Sequence, residues 1–206
     1  MRVVLLSPYP EKISGIIKDV GDEVYTSNYE DWFLELEPES RGNDFVISYG
    51  FRHIIPSILI QQYKDRLINI HIGYLPWNRG ADPNFWSWHG DTPKGVTIHQ
   101  MDEGIDTGPI LYRRTMFSVD HQTIKSSYER LHYLAITLFE SRWRIIREQG
   151  ITPFVQTGES TSHKKKDREA IWHHFPLGWD TPVKDVEEFG RRSRDEHGQR
   201  AGSSGA

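Results

Sequence analysis

The chain has 206 residues, 36% hydrophobic and 26% charged, with a formal net charge of -4 and no cysteine. Disulfides, thiolate zinc sites and cysteine nucleophiles are thereby excluded, and the acidic balance argues against a broad electrostatic footprint for nucleic acid. No apolar stretch is long enough to span a bilayer and the first residues lack a signal-peptide pattern, so the expected class is a cytoplasmic enzyme or binding protein, one α/β domain with a small appendage.

In chain order, Arg2 to Ser7 is a continuous apolar run, as a strand buried on both faces requires. Ile13 to Val20 suits a short helix broken by Gly21-Asp22, and Tyr29 to Leu36 suits another, with Trp32, Phe33 and Leu36 apolar. Arg41 to Asp44 reads as a turn, Phe45 to Tyr49 as a second buried strand, Pro56 to Tyr63 as a helix and Leu67 to Ile72 as a third strand. Strands alternating with short helices predict a doubly wound, mostly parallel sheet. Gly73 to Asp82 is a loop, and Asn84 to His89 is a short helix carrying Phe85, Trp86 and Trp88. Gly95 to Met101 and Pro109 to Thr115 are strand-like and can pair as a hairpin across the Asp102–Gly108 loop. Thr123 to Glu148 is the clearest helix, with Ile124, Tyr128, Leu131, Ala135 and Leu138 at helical spacing and Gly150 ending it.

Beyond Gly150 the pattern weakens: Thr152 to Val155 suits a strand, Asp167 to Trp172 starts a last helix, and the Arg-, Ser- and Gly-rich end from Gly190 is expected to be mobile. The reading therefore divides the chain into a domain over 1–150, an appendage over 151–190 that packs on the core or on a dimer partner, and a tail over 191–206. Trp172, His173, His174, Phe175 and Trp179 form an aromatic cluster suited to local packing, a dimer contact or a base-stacking wall.

Chemistry concentrates between residues 69 and 108. Asn69-Ile70-His71 ends one strand; Leu75-Pro76-Trp77-Asn78-Arg79-Gly80 follows; Gly95-Val96-Thr97-Ile98-His99 precedes Asp102-Glu103-Gly104-Ile105-Asp106-Thr107-Gly108. Two apart on a strand, Asn69 and His71 leave the same face, so both donors can sit over one reacting centre. Asp106 comes from a separate segment that the loop after the Gly95 strand can deliver. Gly80 and Gly95 suit unusual backbone angles or close packing. His99 is either a structural strand histidine or a group supporting the Asp102 loop. Arg79 either binds a substrate phosphate or sugar, or pairs with Asp82.

These pieces, in this order, closely resemble the core of the folate-dependent formyltransferases, a family spanning methionyl-tRNA formyltransferase, glycinamide ribonucleotide transformylase and the N-formyltransferases of nucleotide-linked amino sugars. The resemblance covers about residues 44 to 150 well and implies Asn69, His71 and Asp106 as the catalytic set. Asn69 and His71 would donate to the formyl oxygen, His71 preferably as imidazolium, with Asp106 raising its pKa and relaying the proton. It further implies N10-formyltetrahydrofolate as donor, its pterin held by two loops: Tyr49 to Ile55, with Phe51, Arg52, His53 and Ile54, and Met101 to Ile105, with Met101, Asp102 and Gly104. No Gly-x-Gly-x-x-Gly follows the first strand; Ser7-Pro8-Tyr9-Pro10 stands there and speaks against a dinucleotide.

For the acceptor, the resemblance points to a nucleotide-linked amino sugar, with Trp77, Asn78 and Arg79 as substrate contacts and a homodimer as one way to complete the pocket. The turn after the first strand lacks the glycines of the ribonucleotide transformylases, and about 55 residues after Gly150 are too few for the basic barrel of the tRNA enzymes. Methionyl-tRNA formylation, formyltetrahydrofolate hydrolysis and a silent folate- or nucleotide-binding module remain the alternatives. A metal-dependent hydrolase built on His71, His99 and Asp106 lacks zinc-site spacing, and no metal is expected.

Overall fold

Six short strands build one sheet. The computed structural model describes residues 1–28, 44–119 and 121–203, with side chains through Glu196. Strand β1 (Arg2–Leu6) leads through helix α1 (Ser14–Asp19) to β2 (Glu23–Ser27); β3 (Phe45–Tyr49) leads through α2 (Ser57–Tyr63) to β4 (Leu67–His71). A two-residue strand β5 (Arg79–Gly80), helix α3 (Pro83–His89), the hairpin β6 (Gly95–Gln100) and β7 (Ile110–Thr115), and the long helix α4 (Ile124–Arg147) follow. Then come β8 (Ser162–His163), α5 (Lys165–Ile171) and α6 (Val183–Ser203). The sheet order is β2-β1-β3-β4-β6-β7, parallel from β2 to β4 and antiparallel from β4 to β7. This is the mostly parallel, doubly wound sheet expected, with the chain reversing direction across the sheet between β1 and β3, where such folds open a crevice.

The two faces differ. On one, Val3, Leu5, Phe45, Ile47, Ile68 and Ile70 pack with α1, α3 and α4; on the other, Val4, Leu6, Val46 and Leu67 join Ile55, Leu59 and Tyr63 in a smaller cluster under α2. Period-two alternation continues the row of Leu67 into Asn69 and His71, so apolar packing gives way to polar groups along one strand face. Helix α4 buries Ile124, Leu131, Ala135, Leu138, Phe139, Trp143 and Ile146 at helical spacing and starts on a capping box between Thr123 and Ser126.

β2 was not foreseen from the sequence: Glu23-Val24-Tyr25-Thr26-Ser27 is a mixed edge strand without an apolar run, and only its parallel register on β1 defines it. The helix expected over Tyr29–Leu36 and most of the Arg41–Asp44 turn lie outside the described residues. The strand expected at Thr152–Val155 reduces to a single bridge, Phe154 to Ile110. The stretch from Gly190 continues α6, which is helical to Ser203. Val183, Val186 and Phe189 anchor that helix in the main cluster, and a Cβ at Gly190 would collide with the His89 carbonyl, so α6 lies close on α3. The aromatic cluster packs locally: Phe85 meets Trp172 and Phe175 edge-on, and Tyr128 meets Trp179. Among the described residues no helix is long and apolar enough to cross a membrane.

One buried charge ties the start of the chain to the end of α4. Asp22, its side chain fully covered, takes the terminal amine at 2.8 Å and two Arg147 nitrogens at 2.8 and 2.7 Å. Burial pushes this carboxyl up, but Arg147 and the terminal amine outweigh it and hold the pKa below the ordinary value. Asp22→Asn is expected to lower unfolding free energy by about 2 kcal/mol near neutrality. A depressed pKa stabilises above the unfolded carboxylate value and loses that contribution as pH falls through the folded one, so the difference shrinks below about pH 4 in urea titrations.

Candidate active site

β4 ends with Asn69 and His71 on one face, and β6 runs antiparallel beside it with Asn69 opposite His99 and His71 opposite Thr97. The cross-strand register thus adds a second imidazole to the pair. Thr97 donates to the Gly73 carbonyl at 2.7 Å and accepts from the Leu75 N–H at 3.1 Å, fixing the turn that follows His71. Gly73 must stay small, because a Cβ there would stand 2.5 Å from His71 Nε2.

The Asp102–Gly108 loop brings Asp106 onto this face. Asp102 shapes the loop by accepting from Gly104 N–H at 3.1 Å and Thr107 Oγ1 at 2.6 Å, an Asx-type turn. Asp106 has φ +54, a left-handed angle that aspartate tolerates better than most residues. Its carboxylate is 12% exposed and surrounded by polar groups. Oδ1 accepts from Asn69 Nδ2 at 3.0 Å and lies 3.3 Å from His99 Nε2; Oδ2 accepts from Gly80 N–H at 2.9 Å and lies 3.5 Å from His71 Nδ1. The expected convergence of Asn69, His71 and Asp106 is therefore present as geometry, with His99 and the Gly80 backbone as additions. Burial alone would raise the Asp106 pKa; His71, His99 and the Gly80 N–H outweigh it and hold the carboxyl well below the carboxylate range.

His71 departs from expectation. Burial lowers its pKa more than the Asp106 charge raises it, with His99 adding to the lowering and the Asn78 carbonyl opposing it. That direction favours a neutral ring, where the family resemblance implied an imidazolium. His71 Nε2 lies 3.1 Å from the Asn78 carbonyl and its Nδ1 3.5 Å from Asp106 Oδ2, so each ring nitrogen faces an acceptor.

The predicted substrate contacts fare differently. Trp77 is half-buried in the turn after β4. Asn78 is 1% exposed and its side chain is spent on Thr92 and Thr161, at 2.7 and 3.3 Å, so it serves the site through its carbonyl instead. Arg79 does not pair with Asp82, which Arg168 takes at 2.8 Å; its Nε and Nη2 donate to Gln156 at 3.1 and 2.8 Å. Of the predicted donor loops, Phe51 and Met101 pack against the small cluster that the Leu67 row shares, Arg52, His53 and Ile54 are exposed, and Gln61 bridges α2 to Glu103 at 3.2 Å. Gly104 stands exposed at the loop tip. Gly50, at φ +69, lets that first loop turn beside the Tyr9 ring. Among the described residues no group of three or more histidines and carboxylates is arranged to hold a metal ion.

Sequence reasoning passed over Gln156 and Thr161. Neither carries a local signal, because both act only through contacts with residues some 50 to 80 positions away.

An amide, two imidazoles and one carboxylate gathered on a doubly wound sheet define an α/β protein equipped to polarise a carbonyl and relay a proton. The comparisons agree with that class. The family model for formyl transferase matches residues 29–141. A methionyl-tRNA formyltransferase from Thermodesulfovibrio yellowstonii is 33% identical over 140 residues, 66% of this chain and 46% of that protein. The chain spans about half the length of the curated relatives it matches. The solved formyltransferase PseJ from Anoxybacillus kamchatkensis, in complex with UDP-4,6-dideoxy-4-formamido-L-AltNAc and tetrahydrofolate, is 38% identical with a TM-score of 0.83, covering 92% of this chain and 100% of that one. A 4-N formyltransferase from Francisella tularensis shares the fold at 21% identity and TM-score 0.69, over 82% of this chain and 78% of that one. This chain belongs to the formyl transferase family.

Proposed function

We propose that the protein transfers the formyl group of N10-formyltetrahydrofolate to the primary amine of a nucleotide-linked amino sugar, specifically a UDP-linked 4-amino-4,6-dideoxy hexose. The observation that carries the reading is the meeting of Asn69, His71 and Asp106 in a chain that covers all of PseJ at 38% identity. PseJ was captured with the formamido product of such a sugar.

The donor suits the residues present. The apolar cluster holding Phe51, Ile55 and Met101 offers a floor for a flat ring, and it runs along the strand face directly into Asn69 and His71. The amine nitrogen attacks the formyl carbon while the carbonyl π electrons move to oxygen. Asn69 Nδ2 donates to that oxygen. The neutral ring of His71 takes the proton from the attacking nitrogen, and Asp106 stabilises the imidazolium so formed. Collapse breaks the bond to N10, which recovers that proton, leaving a formamide and tetrahydrofolate. A cytoplasmic location and a homodimer that completes the nucleotide pocket belong to the same proposal.

The test offers the protein N10-formyltetrahydrofolate with UDP-linked 4-amino and dTDP-linked 3-amino sugars, with methionyl-tRNA, and with water alone. The expected outcome is a mass gain of one formyl group on the UDP-linked 4-amino sugar. Turnover on methionyl-tRNA alone, or release of formate without an amine, replaces this reading with the transferase or hydrolase alternative. Folate binding without turnover on any acceptor leaves a binding module.

A further inference from the structure

We infer that Gln156 is a positioning residue that sets the Asp106 carboxylate from behind, through the backbone of its loop. Gln156 Nε2 donates to the carbonyls of Asp106 at 2.9 Å and Gly108 at 2.8 Å, while its Oε1 accepts both Arg79 hydrogen bonds. A carboxamide has two donor hydrogens and two acceptor lone pairs, and all four are used. The orientation is thereby fixed, since a flipped amide would turn its NH2 onto guanidinium donors and its oxygen onto two carbonyls.

The two anchors of Asp106 are neighbours in sequence. Gly80 N–H holds the carboxylate oxygen, and the Arg79 side chain, through Gln156, holds the carbonyl of the same residue. β5 thus grips the loop at the front and at the back, and β8 holds β5 in turn: Arg79 N–H donates to the Thr161 carbonyl and Ala81 N–H to the His163 carbonyl, each at 2.9 Å. With Asp106 held at φ +54, a conformation most residues avoid, release of the back anchor lets the loop relax. The segment that resembles an appendage in sequence is a wall of the site.

The groups facing the Asp106 carboxylate are His71 and Asn69 from β4, His99 from β6 and Gly80 N–H from β5. Loosening the loop weakens all four contacts, so the carboxyl titrates higher. Two variants separate the parts. Gln156→Glu keeps an acceptor for Arg79 and removes both donors; Arg79→Ala keeps the donors and removes their anchor. The Asp106 carboxyl is titrated by carbon NMR without substrate, and kcat, KM and the pH profile are measured with both substrates.

In Gln156→Glu the Asp106 titration midpoint is expected to rise by about one pH unit, while the acid limb of kcat, set by His71, moves down as the carboxylate charge that raises the His71 pKa recedes. kcat is expected to fall about tenfold or more, with both KM values within about twofold, as misplacement of a reacting group does. Arg79→Ala is expected to shift the midpoint the same way by less, and it decides the matter if the glutamate variant does not fold. An unmoved midpoint in both variants overturns the inference, whatever happens to kcat. A raised KM at unchanged kcat also overturns it, because Gln156 would then be touching substrate. The kinetic arm rests on the formyl-transfer reading; a shifted midpoint in a protein that transfers no formyl group sustains the positioning role and removes that reading.

Discussion

Asp106→Asn is expected to lower kcat by about two orders of magnitude or more while leaving the fold intact, the scale of a lost acid–base partner. The fold survives because asparagine also tolerates the φ of +54 found there. The chemistry does not, because the carboxylate is the one acceptor shared by Asn69 Nδ2 and Gly80 N–H, with both imidazoles alongside. An amide offers one oxygen for two donors and presents an NH2 to the other. It also removes the charge that would stabilise His71 once protonated. Steady-state kinetics with circular dichroism as a folding control checks this, and wild-type turnover in a folded variant would remove Asp106 from the mechanism. The acid side of the wild-type profile has a definite sign. Asp106 is held below its ordinary pKa and His71 below that of free histidine, so activity carried by the ionised carboxylate and the neutral ring persists as pH falls below 7. The limb appears where His71 gains its proton, not at the value of a free imidazole.

Gly80→Ala is the second large effect. Gly80 has φ +84, and an added Cβ would run into the His163 carbonyl of β8. The left-handed angle and the backbone collision each cost about 1 to 3 kcal/mol, and neither is relieved by a side-chain rotation. The strand pair β5–β8 must separate, which moves the N–H off Asp106 and the Asn78 carbonyl off His71. Urea denaturation is expected to show a loss of about 2 to 4 kcal/mol, and kcat is expected to fall about a hundredfold, as sub-ångström placement of a catalytic group demands. A variant of wild-type stability would mean that β8 yields easily and that β5 does not depend on it.

Much of this was legible in the residues. The buried strands announced themselves as unbroken apolar runs because parallel strands covered on both faces must be apolar throughout. Asn69 and His71 could be paired from spacing alone, since strand alternation is set by the backbone. α4 followed from its period. β2 was hidden because an edge strand with one half-covered face carries no such run, and α6 because its composition is polar while its anchorage rests on Val183, Val186 and Phe189.

What the sequence alone determined was the order of the elements, the face shared by Asn69 and His71, and the family pattern around them. The direction of the His71 pKa shift was beyond it, because burial and the Asp106 charge oppose one another and only coordinates say which outweighs the other. Equally, the partners of Asp106, the clasp of Arg79 and Gln156, and the folding of residues 154–163 back onto β5 were decided by tertiary structure. Each joins segments distant in the chain, and no local propensity encodes a contact made only when two remote backbones meet.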